Sequence, residues 1–359
     1  MSRFSLVFLL IVIIVLSCKK EPIGTEDKTI FYAVEKDTVH LNGWDVFNSH
    51  YDDFSIHSRE TYFLNSDIGF VVGYNGDIYK TTDSGETWVK KNSGTTLHLH
   101  SVFFLNENNG YVSGQAMNDC LGPDCDKGCV FLKTIDGGET WIKNFFPNYY
   151  SILSLRFFNE LEGIAIVCTV ERESIKDNIA VTSDGGISWN FIYLPIGPNS
   201  DRLFFVNDLI YIAGQNHNIY RSSDHGYTWE TIATPGEENH TVLNLYFINA
   251  NLGIIDVAPG VFKTTDGGLN WIKTNIQHTA TLHFYNENEG FNIESVWAYE
   301  GGEFPTFKGS IYYETKDGGL TWSKSEIIEA LHIGSTYFLD KEAGYGFYQS
   351  RFYSIKKKE

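Results

Sequence analysis

The sequence is poor in basic residues. Lysine and arginine number 27 against 45 aspartates and glutamates, so the formal net charge is −18 over 359 residues. The basic residues are unclustered except for three consecutive lysines at 356–358, which we interpret as a solvated chain end. A protein that neutralises nucleic-acid phosphates needs a basic patch. The composition therefore argues against nucleic-acid binding.

Long hydrophobic runs are absent except at the N-terminus, where the apolar run 4–16 is too short for a comfortable membrane span. This pattern is typical of a signal peptide, predicted here as residues 1–17. Segment 15–18 resembles a lipobox, which makes Cys18 the lipidated first residue, followed by a flexible tether to residue 28. An ordinary cleaved signal is the alternative. We expect a bacterial envelope protein, periplasmic or at the outer-membrane surface, that contacts the membrane only through its lipid.

Cysteine is scarce, with five residues in all. Cys120, Cys125 and Cys129 are spaced C-x4-C-x3-C without a nearby histidine, which is not a standard zinc pattern. We predict no metal and no cofactor, and a disulfide between Cys120 and Cys129 across the base of this segment, although connectivity does not follow from sequence. A metal site on these thiols is the alternative. Cys168 follows an apolar run and is expected to be buried.

One motif dominates what is present. The pattern S/T-x-D-x-G-x-[TSN]-W occurs six times, as in TTDGGLNW at 264–271, and its last position holds six of the eight tryptophans. The aspartates of the six copies are Asp83, Asp136, Asp184, Asp224, Asp266 and Asp317. The tryptophans are Trp88, Trp141, Trp189, Trp229, Trp271 and Trp322.

Each position of the motif has a physical role. The hydroxyl and the carboxylate bond to nearby backbone and stabilise a tight turn, and glycine allows a positive φ. Tryptophan buries a large ring beside the turn. The motif resembles the Asp-box, or BNR repeat, and this resemblance implies a structural turn between the two outer strands of a β-propeller blade. Six equivalent copies also argue against six active sites.

A second element precedes the motif and occurs seven times. It is an apolar stretch centred on phenylalanine and followed by Asn or Asp, and in six copies a glycine comes after three further residues. Continuous apolar runs indicate strands buried on both faces, as they are between stacked blades. The phenylalanines are Phe63, Phe104, Phe157, Phe205, Phe247, Phe284 and Phe338.

Seven copies of this element and six of the motif predict an all-β, seven-bladed propeller of four-stranded antiparallel blades over residues 29–359. The last copy ends where a motif should begin, while residues 29–54 have strand character and contain Trp44. We expect this N-terminal region to pair with the C-terminal blade and close the ring, which removes exposed sheet edges. A six-bladed ring with an extra terminal hairpin is the alternative.

Among such propellers, the chain resembles the photosystem II stability and assembly factor family. The resemblance lies in the strand–Asn–x3–Gly pattern and in the T-x-D-G-G-x-T-W spelling of the motif. It implies a seven-bladed fold and a binding or assembly role toward a protein partner. The chain lacks an evident arginine-rich patch of the kind which that family uses for its partner.

The loops after the second and fourth strands of each blade are expected on the face opposite the motif turns. Three insertions stand out there: 115–128, 168–178 and 295–310. The last is aromatic and acidic, which suits a sugar or peptide ligand, although its rings would equally pack it onto the propeller. The predicted binding-face residues are Tyr150, Arg156, Arg202, Trp297, Tyr299 and Glu300.

No catalytic constellation matches the specificity of these architectural motifs. A sialidase needs an arginine triad, yet Arg59, Arg156 and Arg202 occupy different offsets in their repeats. A glycoside hydrolase needs paired carboxylates, for which the loops offer Glu171, Glu173, Glu300 and Glu303. His98 and His100 share a strand face without a third metal ligand.

We therefore predict a monomeric, non-catalytic scaffold, anchored to the envelope, that presents a propeller face to an envelope protein. A carbohydrate-binding protein or a glycoside hydrolase, with a glycan as partner, is the alternative function.

Overall fold

Strands make up nearly all of the regular structure. The computed structural model describes residues 30–32, 35–41, 44–50, 58–115, 128–147, 149–171, 174–194, 203–214, 218–235, 242–258, 260–298, 306–328, 335–340, 342–348 and 351–358. Within these ranges the helical content is a single 3-10 turn, Tyr74–Gly76. No helix of the described part is long and apolar enough to cross a membrane.

The strands follow the repeat found in the sequence. Three precede the first repeat: β1 (Ile30–Tyr32), β2 (Glu35–Leu41) and β3 (Trp44–His50). Repeat 1 contains β4 (Ser58–Phe63), β5 (Gly69–Gly73), β6 (Ile78–Thr81) and β7 (Thr87–Lys91). Repeat 2 contains β8 (His98–Phe104), β9 (Gly110–Gln115), β10 (Cys129–Thr134) and β11 (Ile142–Phe146). Repeat 3 contains β12 (Tyr149–Phe157), β13 (Gly163–Glu171), β14 (Ser174–Thr182) and β15 (Asn190–Ile192).

The second half of the chain continues the pattern. Repeat 4 contains β16 (Phe204–Val206), β17 (Leu209–Ala213), β18 (Asn218–Ser222) and β19 (Glu230–Ala233). Repeat 5 contains β20 (Val242–Phe247), β21 (Gly253–Val257), β22 (Gly260–Thr264) and β23 (Ile272–Lys273). Repeat 6 contains β24 (Thr281–Phe284), β25 (Gly290–Ala298), β26 (Thr306–Thr315) and β27 (Ser323–Ile328). Repeat 7 contains β28 (Ser335–Phe338), β29 (Ala343–Tyr348) and β30 (Arg351–Lys357).

Five sheets have the size of a propeller blade, and all their pairings are antiparallel. Repeats 4, 5 and 6 each form a separate four-stranded meander. Repeat 1 gains β1 outside β7, and repeat 7 gains β3 beside β30 and then β2 beside β3. The N-terminal residues therefore supply strands to both the first and the last repeat. The fold is an all-β propeller of four-stranded antiparallel blades.

The prediction of seven separate blades differs from the observed sheets. Repeats 2 and 3 share one eight-stranded sheet, in which β9 pairs with β12 through a single residue pair, Gln115 and Ser151. The cause is the length of β12, which has nine residues and begins alongside the end of β9, with register shifts between Tyr149 and Ser154. The structure thus separates five blades and merges the other eight strands.

The core lies between successive repeats. It depends on a phenylalanine and a glycine that recur at the same spacing in most repeats. Phe63 is fully buried, and a Cβ added at Gly69 on the neighbouring strand would lie 2.5 Å from its ring. Glycine is needed there because the ring occupies that space. The opposite face of Phe63 stacks on Tyr345 of repeat 7, at a centroid distance of 3.9 Å. Equivalent stacks join other neighbours: Phe70–Phe104, Tyr111–Phe157 and Tyr211–Phe247.

The six motif turns share one hydrogen-bond pattern. In the first, the Thr81 hydroxyl donates to Asp83 at 2.8 Å and accepts from the Gly85 amide at 2.9 Å. The Asp83 carboxylate also accepts from the Thr87 amide and hydroxyl, at 2.9 and 2.6 Å. The same bonds recur at Asp136, Asp184, Asp224, Asp266 and Asp317, with Asn270 replacing the last hydroxyl at Asp266.

Candidate functional site

The propeller has two different faces. In repeat 1 the motif turn bonds to the turn that follows the inner strand, since the Ser84 amide donates to the Asp67 carbonyl at 3.0 Å. Corresponding bonds join Gly137 to Asn108, Gly185 to Leu161, Gly267 to Asn251 and Gly318 to Asn288. These turns form what we call the turn face. The loops after the second and fourth strands lie on the opposite insertion face, as the sequence predicted.

Two hairpins extend from the insertion face. Strands β13, β14, β25 and β26 have nine or ten residues, whereas the second and third strands of other repeats have four to seven. Most of the predicted insertions 168–178 and 295–310 is therefore paired strand rather than loop. In the remaining insertion, residues 116–127 lie outside the described part of the chain.

Trp297 lies near the end of the longer hairpin, opposite Phe307 on the neighbouring strand. Its side chain is 50% exposed, and its ring meets that of Phe307 edge to face at 5.3 Å between centroids. One ring thus steadies the other while half of the tryptophan remains accessible. Tyr299 and Glu300, the other predicted residues of this segment, lie outside the described residues.

Tyr150 and the described cysteines lie near the junction of repeats 2 and 3. Tyr150 is half-buried on β12, and burial, with a contribution from Cys168, raises its pKa. Cys168 is buried, as predicted. Cys129 is fully buried, and burial raises the pKa of its thiol to about 12. Cys120 lies outside the described residues, so its predicted disulfide with Cys129 stays a prediction.

Seven side chains, which we call the collar, occupy the position just before each repeated phenylalanine. Contacts join several members: Tyr62 lies 5.7 Å from Phe103 and 4.9 Å from Tyr337, and Phe204 lies 5.3 Å from Tyr246, between ring centroids. The members are Tyr62, Phe103, Arg156, Phe204, Tyr246, His283 and Tyr337. Six are aromatic and one is an arginine.

Arg156 is the collar's cation and is half-buried. It lies near the turn-face end of β12, where its backbone pairs with Ile164, and not on the insertion face where the sequence analysis placed it. Its guanidinium carbon lies 4.4 Å from the ring centroid of Phe205 and 5.6 Å from that of Phe103. Burial lowers the pKa of Arg156, and Tyr62 and Tyr337 oppose that shift. These tyrosines belong to repeats 1 and 7, so an interaction with repeat 3 places all three groups near the propeller axis. Arg202 lies outside the described residues.

Arg59, His98 and His100, which the sequence also offered as candidates, have separate partners. Arg59 donates to the Tyr74 hydroxyl at 2.7 Å and stacks on its ring, rather than joining Arg156. His98 accepts from the Asn75 amide at 3.1 Å, and burial lowers the pKa of His100 to about 4, aided by the Arg59 charge.

The structure describes only part of the metal and acid candidates. The described residues contain no group of three or more His, Cys, Asp or Glu placed to hold a metal ion. Of the four glutamates considered for hydrolysis, Glu173, Glu300 and Glu303 lie outside the described residues. Glu171 ends β13, with its backbone paired to Ser174.

Sequence analysis missed a buried acid on the insertion side of repeat 5. Asp256 on β21 is 2% exposed and accepts from the Thr279 amide at 2.7 Å. Burial raises its pKa, and its other oxygen lies 3.5 Å from Nδ1 of His278. The carboxylate fixes the linker between repeats 5 and 6. Its signal was a lone acid in the otherwise apolar run GIIDV.

Structural comparison gives the same fold. YCF48 bound to a D1 peptide superposes with a TM-score of 0.63 at 16% identity, covering 90% of this chain and 100% of that one. YCF48 from Cyanidioschyzon merolae gives 0.59 at 15% identity, covering 89% and 98%. A GH74 xyloglucanase from Xanthomonas campestris gives 0.52 at 12% identity, covering 82% of this chain but only 53% of the enzyme.

At these identities the similarity establishes the β-propeller fold and nothing finer. No protein-family model matches the chain, and no curated protein matches it.

Proposed function

We propose that this chain is a non-catalytic binding scaffold that presents its insertion face to a protein partner. The observation that carries the proposal is Trp297, half exposed and braced by Phe307 on a hairpin longer than its counterparts. Exposed tryptophans held in a fixed orientation are frequent anchors of protein interfaces. YCF48, a propeller of similar fold, is known in complex with a peptide. The similarity supports a peptide or protein ligand for this chain too.

The scaffold itself is proposed to be a closed ring of seven blades over residues 29–359. Repeats 2 and 3 each keep a four-stranded order and share only one residue pair, so we count them as two blades. Seven residue pairs join β3 to β30, and repeat 7 stacks on repeat 1 through Tyr345 and Phe63. A closed ring leaves no wide sheet edge for self-association, which supports a monomer.

Anchoring is proposed through Cys18, with residues 1–17 removed and the propeller held at a bacterial envelope. The support is the sequence alone, because these residues lie outside the described part. Replacing Cys18 with Ser is expected to move the protein from the membrane fraction to the soluble fraction. Membrane attachment that survives this change would contradict the lipid anchor.

The binding face is tested by site-specific photo-crosslinking in intact cells. A benzophenone amino acid is placed at Trp297 on the insertion face and, as a matched control, at Tyr227 on the turn face, which is 46% exposed. We expect one discrete protein adduct from position 297 and none from position 227. Adducts of equal yield at both positions, or none at 297, would contradict the proposed face.

A glycan-binding or hydrolytic role is the second candidate. The exposed Trp297 ring is suited to stack on a sugar, and the fold resembles that of a xyloglucanase. Incubation with envelope and plant polysaccharides tests it. Release of oligosaccharides that stops on Glu300→Gln would favour the enzyme, whereas retention on a polysaccharide column without release would favour a glycan binder.

A further inference from the structure

None of the described residues provides an acceptor for the charge of Arg156. A guanidinium carries five N–H donors, and buried charges are ordinarily paired and hydrogen-bonded. The guanidinium of Arg156 has ring contacts but, among the described residues, no hydrogen bond and no ion pair. The ring contacts engage its positive charge without using its N–H donors.

The surrounding groups do not neutralise this charge. Burial raises the pKa of both Tyr62 and Tyr337, so their phenols stay protonated at neutral pH. The Tyr62 hydroxyl is itself committed, since it donates to the Phe104 carbonyl at 2.9 Å. Glu60, two residues before Tyr62, instead accepts from the Val102 amide at 2.7 Å.

A shortage of acids does not explain the missing partner. The chain has 45 acidic residues against 27 basic ones. Several other cations of the propeller do have acid partners: Lys80 and Lys91 both bond to Glu139, and Arg221 bonds to Glu230. The N–H donors of this half-buried cation are therefore available to an acceptor from outside the chain.

We propose that the collar is an anion site in which Arg156 binds a carboxylate whose apolar body lies against the aromatic side chains. The charge selects the carboxylate through charge-assisted hydrogen bonds, and the rings of Phe103 and Tyr62 select an apolar or aromatic substituent. This site goes beyond the proposed protein-binding face and does not depend on Trp297.

Benzoate is the probe, and benzamide is its neutral isostere. Saturation-transfer NMR at low ionic strength measures their weak binding to the full chain in detergent. We expect benzoate to bind about tenfold more tightly than benzamide, because only the carboxylate accepts two charge-assisted bonds. Equal binding of the two probes, or no binding of benzoate, would overturn the site.

Variants then locate the binding. Arg156→Gln is expected to reduce benzoate affinity about tenfold, to the level of benzamide, and Arg156→Lys to retain part of it. Arg59→Gln is the control, because Arg59 is also stacked on an aromatic ring but lies outside the collar. Wild-type affinity in both Arg156 variants would place the anion elsewhere.

Two further measurements keep the result unambiguous. Circular dichroism and thermal melting check that each variant folds. If the glutamine variant does not fold, the lysine variant provides the test, and unchanged benzoate affinity there would count against the bidentate arginine contact.

Crosslinking at position 297 is repeated in Arg156→Gln. Loss of benzoate binding with intact crosslinking is the expected result and separates this site from the protein-binding face.

Discussion

The turn face and the insertion face differ in how closely they follow the repeat. On the turn face, six turns repeat one set of hydrogen bonds, and their hydroxyls and carboxylates bond within the turn. On the insertion face, hairpins differ in length and Trp297 stays half exposed. We infer that the repeated, internally bonded turns stabilise the fold. The parts that depart from the repeat are where we expect a ligand to bind.

The largest expected effect comes from removing a buried motif ring. Trp88 is fully buried and contacts Phe63, Phe347 and Phe352 with its ring. Trp88→Ala should lower the free energy of unfolding by about 3–5 kcal/mol, because it leaves a large cavity between repeats 7 and 1. Urea denaturation measures this. A loss below about 1 kcal/mol would show that this contact is not part of the core.

The next effect concerns the hydrogen bonds of one turn. Asp184→Ala removes acceptors for the Ser188 amide and hydroxyl and for the Thr182 hydroxyl. We expect a loss of about 1–2 kcal/mol in unfolding free energy, since these groups are partly exposed to water. Glu230→Ala, on the surface strand β19, serves as the control and should change stability by less than about 1 kcal/mol.

The two faces should also lose stability in different pH ranges. Bonds from Ser188 lower the pKa of Asp184 to about 2, below its ordinary 3.8, so its contribution is present above pH 4 and disappears as pH falls to 2. Burial lowers the pKa of His100 from 6.5 to about 4, so this neutral histidine costs stability as pH falls from 6.5 to 4. The measurement is the melting temperature as a function of pH. His100→Gln should make it less dependent on pH between 6.5 and 4, and Asp184→Asn should do so between 4 and 2. The same profile in both variants would contradict the assignment.

The smallest effect on stability is expected at the proposed binding residue. Trp297→Ala removes a half-exposed ring whose principal aromatic contact is Phe307. Its unfolding free energy should change by less than about 1 kcal/mol, in contrast to Trp88→Ala. Partner capture should nevertheless be lost. A large destabilisation instead would mean that Trp297 packs the hairpin and does not serve recognition.

Much of the fold was predictable because its signals are local. A turn such as Thr81–Thr87 closes its bonds within seven residues, so the motif alone indicates the hairpin. The inner strands were predicted from the apolar stretches around Phe63 and its six counterparts. The opposite placement of turns and insertions also followed from strand order.

The candidate site was less predictable. Insertion 295–310 was expected as a loop, but most of it is strand, in which the end of β25 pairs with the start of β26. How far two strands stay paired depends on both of them, and the sequence of one segment does not show it. Repeats 2 and 3 share a sheet only because β12 extends far enough to meet β9. Of the collar only Arg156 was predicted as a binding residue, although the other members also precede each repeated phenylalanine.

The sequence by itself determined the repeat, the turn chemistry and the alternation of buried positions, since each depends on residues close together in the chain. Only the tertiary structure decided that Arg156 contacts Phe205 and Phe103 with no acid partner among the described residues, and that Asp256 fixes a linker before repeat 6. Those contacts join residues from different repeats, and whether a charge finds a partner depends on distances that chain order does not specify.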